Sequence, residues 1–76
     1  MRFLSLLQDG DTATIISLYG GIELQRRLKA MGLSPGSSLK LLRHGNWSGP
    51  VHIRVGTTEI ILRIGDANNI IVEKDR

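Results

Sequence analysis

Side chains able to ligate a metal, attack a substrate or move a proton are few in this 76-residue chain: two histidines, seven Asp/Glu and no cysteine. Without cysteine there is neither a thiolate metal site nor a disulfide framework, which is compatible with a reducing compartment. A metal would have to be held by His44, His52, Glu59 or Asp66. Imidazole and carboxylate suit ferrous iron and zinc. The Gly- and Pro-containing loop between His44 and His52 would let the two rings approach across a hairpin. The plainer reading is two surface histidines, one at a strand end and one on an outer strand face, with no resident metal and no cofactor. The scattered carboxylates offer no nucleophile–base or paired-acid spacing. No G-x-x-x-x-G-K-S/T run occurs, so the chain is not itself a P-loop GTPase. It reads as a non-enzyme.

Residues suited to binding stand out more than residues suited to catalysis. Leu24, Leu28 and Met31 recur at i, i+4 and i+7, the spacing of one helical face. They form either a docking stripe or the buried face of a short helix, and a domain this small needs the buried face. Arg26, Arg27 and Lys29 then make a basic patch on the outer side of that helix. The patch serves ordinary solubility, or contacts an acidic protein surface or an anionic membrane leaflet. Trp47 is the single Trp, set in a polar, Gly-rich loop between Asn46 and Ser48. A large aromatic with a donor is a common interface anchor, and the alternative is a cap on one end of a barrel. Phe3 and Tyr19 are read as structural.

The elements that must position these residues follow from punctuation and periodicity. Phe3, Leu4, Leu6 and Leu7 form an apolar lead-in expected to pack on the core, ended by Gln8-Asp9-Gly10-Asp11. Thr12 to Leu18 is rich in β-branched residues and predicts a strand. Gly20-Gly21 breaks it, and Ile22 to Met31 predicts a helix of about three turns. Gly32 falls where a left-handed C-terminal cap wants Gly, and Ser34-Pro35-Gly36 predicts a tight turn. Ser37 to Arg43 is a second strand. Val51, Ile53 and Val55 alternate with His52 and Arg54, a half-buried third. Gly56-Thr57 turns into Thr58 to Ile64, with Ile60, Leu62 and Ile64 inward and Ile61 an exception on the outer face. Gly65 to Asn69 suits one helical turn, and Ile70 to Val72 closes the sheet. Five short strands with one inserted helix predict a mainly β, SH3-like barrel, whose closure hides strand edges.

The bulk properties agree with one domain over residues 1–76. A chain of this length buries only roughly 60–65% of the surface its unfolded form exposes. Its net charge of +3 and pI near 10.0 are mildly basic, with both signs interspersed and no block resembling a nucleic-acid arm. The runs Ile60-Ile61-Leu62 and Ile70-Ile71-Val72 are strand-sized, far short of a membrane span. The N-terminal apolar stretch is interrupted before a secretory h-region forms. A cytoplasmic protein without membrane insertion is expected.

The run Arg27-Leu28-x-x-Met31-Gly32-Leu33-x-Pro35-Gly36 resembles the FeoA family of small accessory proteins of bacterial ferrous-iron transport. The resemblance extends through Gly10-Asp11, Gly49-Pro50-Val51, Gly56-x-x-Glu59, Leu62-Arg63, Ala67 and Ile70-x-Val72, from about Leu4 to Glu73. It implies an SH3-like fold and a partner, the membrane ferrous-iron transporter FeoB with its cytoplasmic GTPase part. It implies no catalytic set. The same domain occurs fused to iron-dependent repressors, and transition-metal binding enters at the level of the family. The expected function is therefore an adaptor that docks on FeoB and modulates it, with Arg26, Arg27, Lys29 and Trp47 as contact residues. Two alternatives stay open: a metal-responsive regulatory module, and an SH3-like nucleic-acid-binding domain. Against nucleic acid stand three aromatics with no stacking spacing and a slight positive balance.

Overall fold

A computed structural model describes residues 1–45 and 49–76. Six strands form one antiparallel sheet: β1 (Arg2–Phe3), β2 (Thr12–Leu18), β3 (Ser38–His44), β4 (Val51–Val55), β5 (Thr58–Leu62) and β6 (Ile70–Lys74), in the order β1-β6-β2-β3-β4-β5. The five expected strands are present, and Arg2–Phe3 adds a sixth by pairing with β6. Helix α1 spans Ile22–Ala30, a single turn α2 spans Ile64–Ala67, and a 3₁₀ turn covers Leu4–Leu6. No helix among the described residues is long and apolar enough to cross a membrane.

Alternation decides which strand residues enter the core. Ala13 and Ile15, Leu39 and Leu41, Val51 and Ile53, Ile60 and Leu62, and Ile70 and Val72 are buried, and they form one cluster. Outside the strands the cluster gains only Leu4, Leu7, Leu28, Leu33 and Ala67. These five cannot cover the inner sides of five strands, so the sheet curls to bury that face against itself, as in an SH3-like barrel. No polar or charged side chain is buried among the described residues. Two bulges interrupt the register, between Ile15 and Ser17 and between Leu41 and Arg43, and such bulges bend a strand and re-aim its side chains.

The N-terminal lead-in departs from expectation. Leu4 and Leu7 are buried, but Phe3 is 44% and Leu6 63% exposed. A 3₁₀ turn repeats every three residues, which brings Leu4 and Leu7 to one side and sends Leu6 out. Phe3 sits opposite Ile71 in the β1–β6 pair and shares its outer face. Tyr19, also read as structural, is 56% exposed. Met1, Phe3, Leu6, Tyr19 and Ile71 line an open recess of about 390 Å³. Ile64 also differs, since it opens α2 rather than continuing β5, although it still packs against the core.

Candidate interaction surfaces

Helix α1 is fixed at its end by the residues that mark the motif. The Leu33 N–H donates to the Leu28 carbonyl at 2.9 Å, and the Gly32 N–H donates to the Lys29 carbonyl at 3.0 Å. These are the two bonds of a Schellman cap, with Gly32 left-handed at φ +89°. Leu28 and Leu33 are both fully buried, the apolar contact that accompanies this cap. The Ser37 N–H then donates to the Ser34 carbonyl at 2.9 Å with Gly36 at φ +94°, a turn of type II with Pro35 in its favoured position. The motif thus ends one element, reverses the chain and starts β3.

Of the two readings of Leu24, Leu28 and Met31, the structure shows the buried face of the helix. Leu28 is in the core, while Leu24 and Met31 are half-buried and pack against it. Arg26, Arg27 and Lys29 lie on the exposed side. Arg27 is not merely solvated: its guanidinium donates to the Asp66 carboxylate at 3.1 Å, tying α1 to α2. An ion pair this accessible contributes about 0–1 kcal/mol, so its value lies in orientation. Arg27 and Asp66 also wall a shallow groove of about 310 Å³ between α1 and β5, with Met31, Ile61, Leu62 and Arg63. Ile61, the expected exception, is 64% exposed there.

The two histidines do not meet. In the β3–β4 pair Arg43 is opposite His52, and His44 is opposite the buried Val51. Partners directly opposite share a face, so His52 lies outside and His44 is turned toward the core end. The His44 ring nitrogens lie 2.7 Å from the Ser5 carbonyl oxygen and 3.0 Å from that of Gly45. Both face carbonyls, and neither is presented to a ligand. The ring thereby pins the 3₁₀ turn to the loop that follows β3, whose base is closed by the Gly45 N–H donating to the Pro50 carbonyl at 2.9 Å. Ser5 in turn donates from Oγ to the Asn68 side-chain oxygen beyond α2. No group of three His, Cys, Asp or Glu side chains that could hold a metal occurs among the described residues. Trp47 lies outside the described residues.

Sequence reasoning missed Asp66 as the partner of Arg27, Ser5 as the junction of three segments, and the exposure of Phe3 and Leu6. It also missed Asp11, whose carboxylate accepts from the Gln8 N–H at 2.8 Å and lies 3.4 Å from the Lys74 ammonium. The backbone donor, and then Lys74, hold its pKa below the ordinary carboxylate value against some opposing desolvation. The Gln8-Asp9-Gly10-Asp11 turn signal pointed to this site, but nothing local announced Lys74.

Comparison with known proteins agrees with this architecture. The FeoA domain model matches residues 3–74. A protein of Methanocaldococcus jannaschii described as Fe(2+) transport protein A is 33% identical over 70 residues, covering 92% of this chain and 83% of its own length. A crystal structure of an iron uptake regulatory protein, FeoA, superposes with a TM-score of 0.90 at 30% identity over 96% of each chain. Stenotrophomonas maltophilia FeoA, a prokaryotic SH3 domain protein crystallised with zinc, superposes with a TM-score of 0.84 at 25% identity, covering 100% of this chain and 98% of its own. With its curled sheet, its capped inserted helix and these matches across nearly its whole length, the chain belongs to the FeoA family of ferrous-iron transport proteins.

Proposed function

We propose that this protein is a non-enzymatic accessory factor of ferrous-iron uptake that docks on the cytoplasmic part of FeoB and shifts that transporter between states. The single observation that carries the reading is membership of the FeoA family over residues 3–74. A shift between states requires tighter binding to one of them.

The contact surface we assign is the groove between α1 and β5. At about 310 Å³ it accepts a side chain or two rather than a cofactor. Its apolar lining of Met31, Ile61 and Leu62, beside Arg27 and Arg63, suits a partner segment combining an apolar anchor with carboxylates. The exposed Arg26 and Lys29 carry positive charge around the rest of α1 to steer it. Trp47, put forward by the sequence, is a second anchor. The test is binding of the purified chain to detergent-solubilised full-length FeoB, with and without a non-hydrolysable GTP analogue, at near-physiological salt. Saturable binding is expected, weakened at least about tenfold by Ile61→Arg or by Arg26→Glu with Lys29→Glu. An absence of binding in every nucleotide state, with the transporter shown to be active, overturns the reading.

A further inference from the structure

Strand register gathers cations on the outer face of β3 and β4. Lys40 lies directly opposite Arg54, and Arg43 lies directly opposite His52. Leu39, Leu41, Val51 and Ile53 are all inward and buried, so Lys40 and Arg54 face out. Without the bulge after Leu41, Arg43 would share the phase of Leu39 and Leu41 and point inward. The bulge reverses the phase and brings Arg43 out beside His52. Like charges directly opposite across a strand pair are destabilising. None of the three ion pairs found among the described residues involves Lys40, Arg43 or Arg54.

A recess of about 320 Å³ opens at one end of this face, lined by Lys40, Arg54, Thr12, Ser38 and Asp75 among others. It brings an ammonium, a guanidinium and two hydroxyls to one hollow, a donor set suited to a phosphate. Two carboxylates oppose it: that of Asp75 in the recess, and that of Glu59, directly opposite Arg54 across β4 and β5. The next rung carries Arg43, His52 and, opposite His52, the exposed Ile61. Phe3 lies on the outer face of the β1–β6 pair instead, and no Phe or Tyr stands on β3, β4 or β5 to stack a base. Among the described residues the surface offers phosphate contacts and an exposed aliphatic side chain, with no Phe, Tyr or Trp to stack a base.

We infer that the outer face of β3 and β4 is a docking surface for anionic phospholipid, with a headgroup phosphate seated between Lys40 and Arg54. The inference shares Ile61 with the proposed contact with the transporter but rests on Lys40 and Arg54, which that contact does not use. A few cations give weak, reversible attachment, each Lys or Arg near the surface changing partitioning about fivefold. Such attachment concentrates the protein at a membrane without inserting it.

The test is co-sedimentation of the full chain with phosphatidylcholine vesicles, with and without roughly one third phosphatidylglycerol, across a salt series. Binding is expected only with phosphatidylglycerol, falling as salt rises. Lys40→Gln and Arg54→Gln should each lower it about fivefold, and Asp75→Asn should raise it by a similar factor. Arg26→Gln with Lys29→Gln removes two positive charges from α1 and should leave it within about twofold. Equal loss from the α1 pair would show a response to net charge alone and overturn the site. So would binding indifferent to phosphatidylglycerol, or single-stranded RNA held more tightly than vesicles by the same residues. Inorganic phosphate should compete no better than chloride at matched ionic strength, and stronger competition would assign the recess to free phosphate. Thermal midpoints of Lys40→Gln and Arg54→Gln at or above that of the parent exclude unfolding as the cause of lost binding.

Discussion

Two basic surfaces of this protein are built on opposite principles. On α1, Arg27 is held by Asp66 at 3.1 Å, and the helix is locked at its C-terminus by the Schellman bonds of Gly32 and Leu33. On the outer face of β3 and β4, Lys40 faces Arg54, and a bulge brings Arg43 out to face His52. In the first region charge fastens one element to another. In the second, like charges face each other across β3 and β4 at a cost in stability, with Glu59 opposite Arg54 on β5 as a partial counterweight. Such a cost is the pattern expected where a surface serves binding rather than folding.

The comparison breaks most completely if α1 is unseated. Leu28→Ala removes a fully buried side chain beneath the cap and should cost about 2–5 kcal/mol, read as a lowered midpoint of chemical unfolding. Gly32→Ala forces a Cβ into the left-handed region at φ +89° and should cost about 1–2 kcal/mol by the same measurement. No side-chain clash adds to that figure, because the nearest atom to such a Cβ is a Val55 methyl at 3.9 Å. On the sheet the sign should reverse. Lys40→Glu turns a repulsive cross-strand pair into an attractive one and should raise stability by roughly 0.2–1 kcal/mol. Asp66→Asn releases Arg27 and should change stability by about 0–1 kcal/mol, with its larger consequence in the amide shifts of α2.

Asp11 sharpens the contrast, because it pairs the Lys74 ammonium at 3.4 Å near the β2 end of the same sheet. Its folded pKa is depressed. The stability it contributes is therefore present above the ordinary carboxylate value and is lost as pH falls through the folded one. Asp11→Asn should flatten the acid limb of a stability–pH profile below about pH 4 and do little more to its shape above that. An unchanged acid limb would remove Asp11 from the account.

Much of the fold was legible because local signals and burial agree. Thr12–Leu18 and Val51–Val55 declare themselves by β-branching and alternation, and their structural limits match. The Met31-Gly32-Leu33-Ser34-Pro35-Gly36 run specifies a cap and a turn by backbone requirements that few other residues meet. Phe3 was misjudged because hydrophobicity says nothing of which face a two-residue edge strand presents. Leu6 was misjudged because a 3₁₀ turn and a strand read alike over three residues. The plainer reading of the histidines put His52 on an outer strand face, where it lies. The turn of His44 onto the Ser5 and Gly45 carbonyls was not legible, because a bulge inverts side-chain phase without any local sign beyond Leu41-Leu42. Asp66, Ser5 and Lys74 were invisible for a common reason: each acts across 39 or more residues of chain.

The measurement that bears most directly on the adaptor reading is a chemical-shift map of the isotope-labelled protein titrated with the cytoplasmic part of FeoB. The account predicts saturable shifts concentrated at Arg26 to Met31 of α1 and at Ile61 to Asp66. The β3–β4 face around Lys40 and Arg54 should stay quiet until anionic vesicles are added. Shifts confined to Lys40, Arg43 and Arg54, or none at all with an active GTPase part present, would contradict it.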